Sequence, residues 1–327
     1  ARALLAELDH LRAPPAFILA VESWALFLGR LEPTEALDPA TEAEAADLIA
    51  RLAELAASHP LDYAALGPQH AETLWQFPRL QEFLQDTALK RLVWCPRAGE
   101  LAFTCLDAAS AIGATLRGYG GALLLSATLA PYAHTAAACG LDAPPAGATV
   151  LRAPAPWREG AYDVAVDLRV DTTYRQRAAH YDTTAHTVIR LQAAAAGCVA
   201  VFFPSYAYAE TVRRTLEDGG ATLRIALQPR LPDLAAQAAW VEENLAFADA
   251  LFLVLGSSFA EGIDLLGGRV THAMVVGPAL PEVNAVQKAR VAANPGESRD
   301  AAFKRVYQIP GLQKVNQALG RLVRAPG

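Results

Sequence analysis

Cys198-Val199-Ala200-Val201-Phe202-Phe203-Pro204-Ser205-Tyr206 is the stretch that decides the fold: six apolar residues, then a proline, a hydroxyl and a phenol. A run apolar at every position has no face to show to water, so it reads as a strand covered on both sides, the condition of a parallel sheet. The design returns at Ala250-Leu251-Phe252-Leu253-Val254-Leu255, which ends in Gly256-Ser257-Ser258, and at Ala122-Leu123-Leu124-Leu125, which ends in Ser126-Ala127-Thr128-Leu129. Strands are expected at 163–170, 198–203, 222–226, 250–255 and 269–276. Helices are expected from 174 to 196, through Leu216, and over 234–247. Strands alternating with helices of this length predict a three-layer α/β domain with a mainly parallel sheet and right-handed crossovers.

Residues 1–90 have a different period. Segments at 2–11, 17–31 and 41–57 place apolar residues three and four apart, which makes amphipathic helices, and Pro14-Pro15, Pro33, Pro39 and Pro60 punctuate them. Asp38 or Thr41 is placed to cap the third helix, with Glu44 in capping-box position. Trp24, Trp75 and Phe77 read as packing residues. Beyond Lys90, strands at 92–95 and 101–106 flank a short turn, and helices are expected at 108–117 and from Leu129 to Gly140. Gly118, Gly120 and Gly121 precede the strand at 122–125, whereas a dinucleotide fingerprint follows one. The Pro-, Ala- and Gly-rich residues 142–160 mark a boundary. Domains are therefore expected at 1–90, 91–150 and 151–327.

A length of 327 residues suits about two domains of roughly 150 each, and 53% hydrophobic content is ample for their cores. A net charge of −6 excludes a uniformly basic nucleic-acid protein, but the charge is unevenly spread. Glu32, Glu35, Asp38, Glu42, Glu44, Asp47 and Glu54 face a single arginine in 32–54. Lys288, Arg290, Arg299, Lys304, Arg305, Lys314, Arg321 and Arg324 face two acids in 288–324. Such an end is compatible with a local polyanion site, as well as with an ordinary solvated face. Cys95, Cys105, Cys139 and Cys198 have no close pair, so reduced thiols and a cytoplasmic compartment are expected. No apolar run reaches the length of a membrane span, and no signal-peptide pattern opens the chain.

Chemistry concentrates at strand ends and in the last helical run, Val315 to Arg324. There Gln317, Gly320, Arg321 and Arg324 fall at i, i+3, i+4 and i+7, so one face carries an amide, a gap and two guanidinium groups. The planar fork of arginine matches phosphate oxygens. Ser205-Tyr206, Ser257-Ser258 and the loop Glu261-Gly262-Ile263-Asp264 share one sheet edge if the sheet is parallel. Hydroxyls and amides gathered there hold phosphates, while Asp264 suits a ribose hydroxyl or an arginine; loop capping by Asp and Ser is the plainer reading. Two rivals fail. Gly256-Ser257-Ser258-Phe259-Ala260 approaches a nucleophile elbow but ends in alanine, with His272 too close after Asp264 to complete a triad. His180 and His186 are not neighbours on a helical face, so no metal site is expected.

Ser126-Ala127-Thr128-Leu129, Val201 to Tyr206, Gly256 to Asp264 and Gln317 to Arg324 resemble, in order and spacing, motifs III, IV, V and VI of the DinG/XPD-type helicases of superfamily two. Thr173-Tyr174-Arg175-Gln176-Arg177 is also similar to that family, and the likeness covers roughly residues 100–327. It implies a RecA-like second motor domain at 151–327, preceded by a helical arch-like region at 1–90 and the tail of a first RecA-like domain at 91–150. The departures are as specific. The sequence has no Gly-Lys pair and no Asp-Glu dipeptide, hence neither the phosphate loop nor the acidic box such an ATPase needs. The family's iron–sulfur cysteines have no counterparts. Truncation is the economical expectation, with those parts lying upstream of Ala1.

The resemblance implies ATP and Mg²⁺ as cofactors of the whole enzyme, with any iron–sulfur cluster in the missing part. It implies that Arg321 and Arg324 reach the terminal phosphates as catalytic groups, and that Gln317, Gly320, Gly262 and Asp264 line the nucleotide. Ser205, Tyr206, Ser257 and Ser258 would meet single-stranded DNA, and Ser126 and Thr128 would couple the two sites. Partners would be single-stranded DNA, the missing N-terminal motor domain, and replication or repair proteins. A degenerate, non-enzymatic nucleic-acid-binding or scaffold protein is the second reading.

Overall fold

Apolar spacing of three and four gives four successive helices: α1 (Arg2–His10), α2 (Pro15–Gly29), α3 (Pro39–Ser58) and α4 (Tyr63–Gln85). The computed structural model describes residues 2–59, 61–126, 128–141, 149–153, 160–231, 233–257, 265–320 and 322. The chain divides into two compact units: Ala1–Leu124 with Pro131–Gly147 and Val283–Glu297, and Leu125–Ala130 with Ala148–Glu282 and Ser298–Gly327.

In the first unit the apolar faces of the four helices meet around Phe17, Phe27, Ile49, Leu52 and Leu74, each at most 2% exposed. Trp24 stacks on Phe27 at 5.5 Å and meets Phe77 edge-on at 5.6 Å, an arrangement that places ring edges against the negative ring face. Trp75 does not join this core. It is 47% exposed and stacks on Tyr63 at 5.4 Å, because its helical position faces away from the stripe. Asp38 is the cap of α3, accepting the N–H of Ala40 and Thr41 at 3.0 Å each and the Thr41 hydroxyl at 2.6 Å. Glu44 pairs instead with Arg30. Helix α4 breaks at Gly67, whose φ of 74° leaves the helical region, and Pro68 restarts it where a missing N–H costs least.

Strands β1 (Lys90–Trp94) and β2 (Ala102–Asp107) form an antiparallel hairpin with Leu92 opposite Thr104. The loop after α2 extends it: Thr34 and Cys95 exchange backbone hydrogen bonds at 2.9 and 3.2 Å. Helices α5 (Ala109–Arg117) and α6 (Tyr132–Ala138) follow. They approach so closely that a Cβ on Gly140 would sit 1.9 Å from the Ala109 carbonyl oxygen, so that position is restricted to glycine.

The second unit is the layered domain the alternation predicts. Strands β3 (Val199–Phe203), β4 (Ile225–Leu227), β5 (Ala250–Val254) and β6 (Ala273–Val275) form one sheet in the order β4-β5-β3-β6, every neighbouring pair parallel. Alternate residues of β3 and β5 go to opposite faces, as the pleat demands. Val199, Val201, Phe203 and Phe252 pack under α7 (Tyr181–Ala194) and α8 (Tyr206–Asp218) through Val188, Tyr208 and Val212. Ala200, Phe202, Leu251 and Leu253 pack on the other face with Val241 of α9 (Leu234–Phe247) and Ala318 of the terminal helix (Ile309–Gly320).

Two expected strands do not form. Residues 122–125 and 163–170 carry no ladder, and Leu123, Leu125, Val164, Val166 and Leu168 are 74–89% exposed. Their apolar character specifies burial, but a ladder also needs a partner strand, and none pairs with them among the described residues. The strand expected at 222–226 forms later and shorter, at Ile225–Leu227, and that expected at 269–276 shortens to Ala273–Val275. The terminal helix begins before Val315, preceded by a π-helical turn at Lys304–Gln308.

Candidate functional site

Parallel pairing sends the C-terminal ends of four strands to one edge of the sheet. Phe203 lies opposite Val254, Leu227 opposite Phe252 and Phe202 opposite Val275, so the residues that follow emerge together: Ser205-Tyr206, Gln228-Pro229-Arg230, Gly256-Ser257 and Gly277. This is the edge where open α/β sheets place ligands. Ser205 caps α8, its Oγ accepting the Tyr208 N–H at 3.3 Å. Tyr206 opens that helix, and the Arg230 guanidinium lies over its ring at 4.6 Å. Ser257 donates to the Val254 carbonyl at 2.6 Å.

The side chain that ties these ends together is one the sequence reading passed over. Gln228 is 3% exposed. It accepts from the Val254 N–H at 2.8 Å and from Ser257 Oγ at 3.3 Å, and donates to Tyr206 Oη at 2.6 Å. Its only sequence signal is a polar residue directly after a β-type run. Lys314, read from the sequence only as one charge of the basic C-terminal stretch, also reaches this edge. Gly256 has φ 72°, and a Cβ there would come within 2.7 Å of Lys314 Nζ, so the lysine lies on the Gly256 turn. It stands three residues before Gln317, one turn down the terminal helix.

On that helix Gln317 is exposed, and a Cβ on Gly320 would meet nothing within 4 Å. An amide beside an open gap fits a phosphate-bearing ligand. Ser126 Oγ accepts the Thr128 N–H at 3.1 Å, and Gln313 of the terminal helix donates to the Thr128 carbonyl at 3.5 Å, the outer limit for such a bond. Ser258, Gly262, Asp264, Arg321 and Arg324 lie outside the described residues.

Entering the unit, Asp171 accepts the Thr173 N–H at 2.8 Å. Arg177 is held between the Tyr174 ring at 4.7 Å and the Tyr208 ring at 5.1 Å. Burial pushes the Tyr208 phenol up from its ordinary range, so it stays neutral beside the cation. Thr172 fills the space a Cβ on Gly277 would need, 2.4 Å from its Oγ1, which fastens this entry segment to the end of β6.

Residues 188–327 match the family described as the helicase C-terminal domain. Across the whole chain, an XPD helicase structure superimposes with a TM-score of 0.52 at 16% identity, covering 97% of this chain and 57% of that one. A structure titled as apo XPD gives 0.53 at 15% identity over 97% and 64%, and S. tokodaii Xpd4 gives 0.50 at 17% identity over 100% and 63%. Residues 188–327 are thus similar to a helicase C-terminal domain, and the chain shares its fold with the XPD structures. Its fold is the RecA-like α/β arrangement with a preceding helical region, as the sequence implies. A comparison with curated protein sequences gives no match. The chain spans about three fifths of the length of the XPD structures it resembles. Among the described residues no cluster of His, Cys, Asp and Glu could hold a metal, and no helix is long and apolar enough to cross a membrane.

Proposed function

We propose that the chain is the second-motor part of an ATP-dependent helicase that moves along single-stranded DNA and turns over ATP only together with a first motor half. The observation that carries this reading is the node at the sheet edge, where Tyr206, Gln228 and Ser257 are bound to one another at the mouth of three parallel strands. Hydroxyls and a cation there suit a sugar–phosphate backbone and read no base edge, so affinity should be salt-dependent and largely indifferent to sequence.

In this reading Gln317 and the open Gly320 of the terminal helix hold a nucleotide, together with Arg321, Arg324, Gly262 and Asp264. Bound ATP supplies the phosphoryl group whose transfer to water drives movement. The two guanidinium groups stabilise charge that grows on the phosphate oxygens, a role worth on the order of a thousandfold in rate. Ser126 and Thr128 bring the segment resembling motif III against the terminal helix, which supports a coupling role. On this proposal the phosphate loop and the Mg²⁺ carboxylate lie on the first motor half, since this sequence holds no Gly-Lys pair. In this reading residues 1–90 serve as the arch and 91–150 as the end of the first motor domain. The exposed Leu123 and Leu125 would then pair with the strands of that half.

The test uses the purified chain. It should bind labelled oligothymidylate with an affinity that falls steeply between 50 and 200 mM salt, and should hydrolyse no ATP above background. Joined to a first motor half from the same reading frame, it should gain DNA-stimulated ATPase that Arg321→Ala abolishes while DNA affinity holds. Turnover by the chain alone would contradict the proposal.

A further inference from the structure

Hydrogen-bond polarity at Gln228 says more about the sheet edge than its position does. The Val254 N–H, 2.8 Å from Gln228 Oε1, can only donate, so it fixes which end of the buried amide is the carbonyl. The Nε2 end then faces Tyr206 Oη at 2.6 Å. An amide nitrogen only donates, so the phenol must accept, and its own proton is turned away from Gln228. Over the same ring lies the exposed guanidinium of Arg230 at 4.6 Å. A phenolic donor beside a cation presents no acceptor pattern to read a base, but it matches a group that only accepts and is negatively charged.

We infer that Tyr206 Oη and Arg230 form one phosphate subsite for the backbone of a single strand, and that Gln228 is the positioning residue that keeps the phenol's proton directed outward. This rests on the reading of the edge as a strand-binding surface. Gln228 touches no ligand; it acts through Tyr206.

The test is anisotropy with fluorescein-labelled oligothymidylate over a salt series, folding being followed by circular dichroism. Tyr206→Phe should weaken binding about ten- to a hundredfold, the range of one lost hydrogen bond to a charged group. Arg230→Ala should reduce the slope of log K against log salt by about 0.7, one phosphate on a single strand. Gln228→Glu keeps the shape but offers Tyr206 an acceptor, drawing the proton inward, so it should weaken binding as much as Tyr206→Phe does. In a Tyr206→Phe background it should add nothing, whereas a merely structural role would add its own loss. Multiplying losses, an unchanged salt slope for Arg230→Ala, or wild-type binding by Tyr206→Phe would each overturn the subsite. If Gln228→Glu fails to fold, the Tyr206 and Arg230 variants decide the matter alone. Binding by the wild type with these variants unaffected overturns this inference only; no salt-sensitive binding by the wild type overturns the underlying reading with it.

Discussion

Ser205 shows how one side chain serves both fold and site. Its Oγ accepts the Tyr208 N–H and so satisfies a donor that the first turn of α8 leaves orphaned. The hydroxyl proton remains for a ligand at the sheet edge. Ser205→Ala should lower stability by about 1 kcal/mol, the usual worth of such a cap, read from the urea midpoint. Ser205→Asp separates the roles, because a carboxylate caps as well but repels phosphate. That variant should keep the wild-type midpoint and lose oligonucleotide affinity; unaltered binding would remove Ser205 from the strand surface. Gly277, like Gly140, is restricted to glycine, since φ 72° and Thr172 leave no room for a Cβ.

At the scale of elements, the three-residue edge strand β4 is held by charge as well as by its ladder. The Asp249 carboxylate, just before β5, accepts the Arg224 backbone N–H at 2.8 Å, Nε at 3.1 Å and an Nη at 2.8 Å. The Arg224 side chain first, and its N–H second, hold the Asp249 carboxyl below its ordinary value of 3.8. A depressed folded pKa gives stability that is present above the unfolded value and lost as pH falls through the folded one. The stapling should therefore operate at pH 7 and fade below about pH 4. The urea midpoint of the wild type should fall more between pH 7 and pH 3 than that of Asp249→Asn; equal falls would show that the pair does not fasten the edge. Since Gln228 follows β4 directly, loosening this strand should also disturb the Tyr206 node.

For the molecule as a whole, the four thiols report on access to its two cores. Cys95 is 1% exposed in the helical core. Cys198 is 8% exposed at the start of β3, where burial pushes its thiol up to about 11, far from the reactive thiolate. Cys105 and Cys139 are half-buried. Iodoacetamide should label Cys105 and Cys139 in the native protein, and Cys95 and Cys198 only in denaturant; rapid native labelling of Cys198 would mean the sheet opens readily. The sequence by itself determined the layered sheet, the helical first region and the edge that carries Ser205, Tyr206 and Ser257. Runs such as Cys198 to Phe203 encode burial on both faces through nothing more distant than their neighbours. Only the tertiary structure decided that residues 122–125 and 163–170 stay outside any ladder, that Lys314 lies on Gly256, and that Gln228 commands the edge. The reason is physical: side-chain periodicity is a local property of the chain, whereas a hydrogen-bond partner is supplied by whatever folding brings alongside. Gln228 draws its partners from 22 and 26 residues away, a separation no repeat pattern spans.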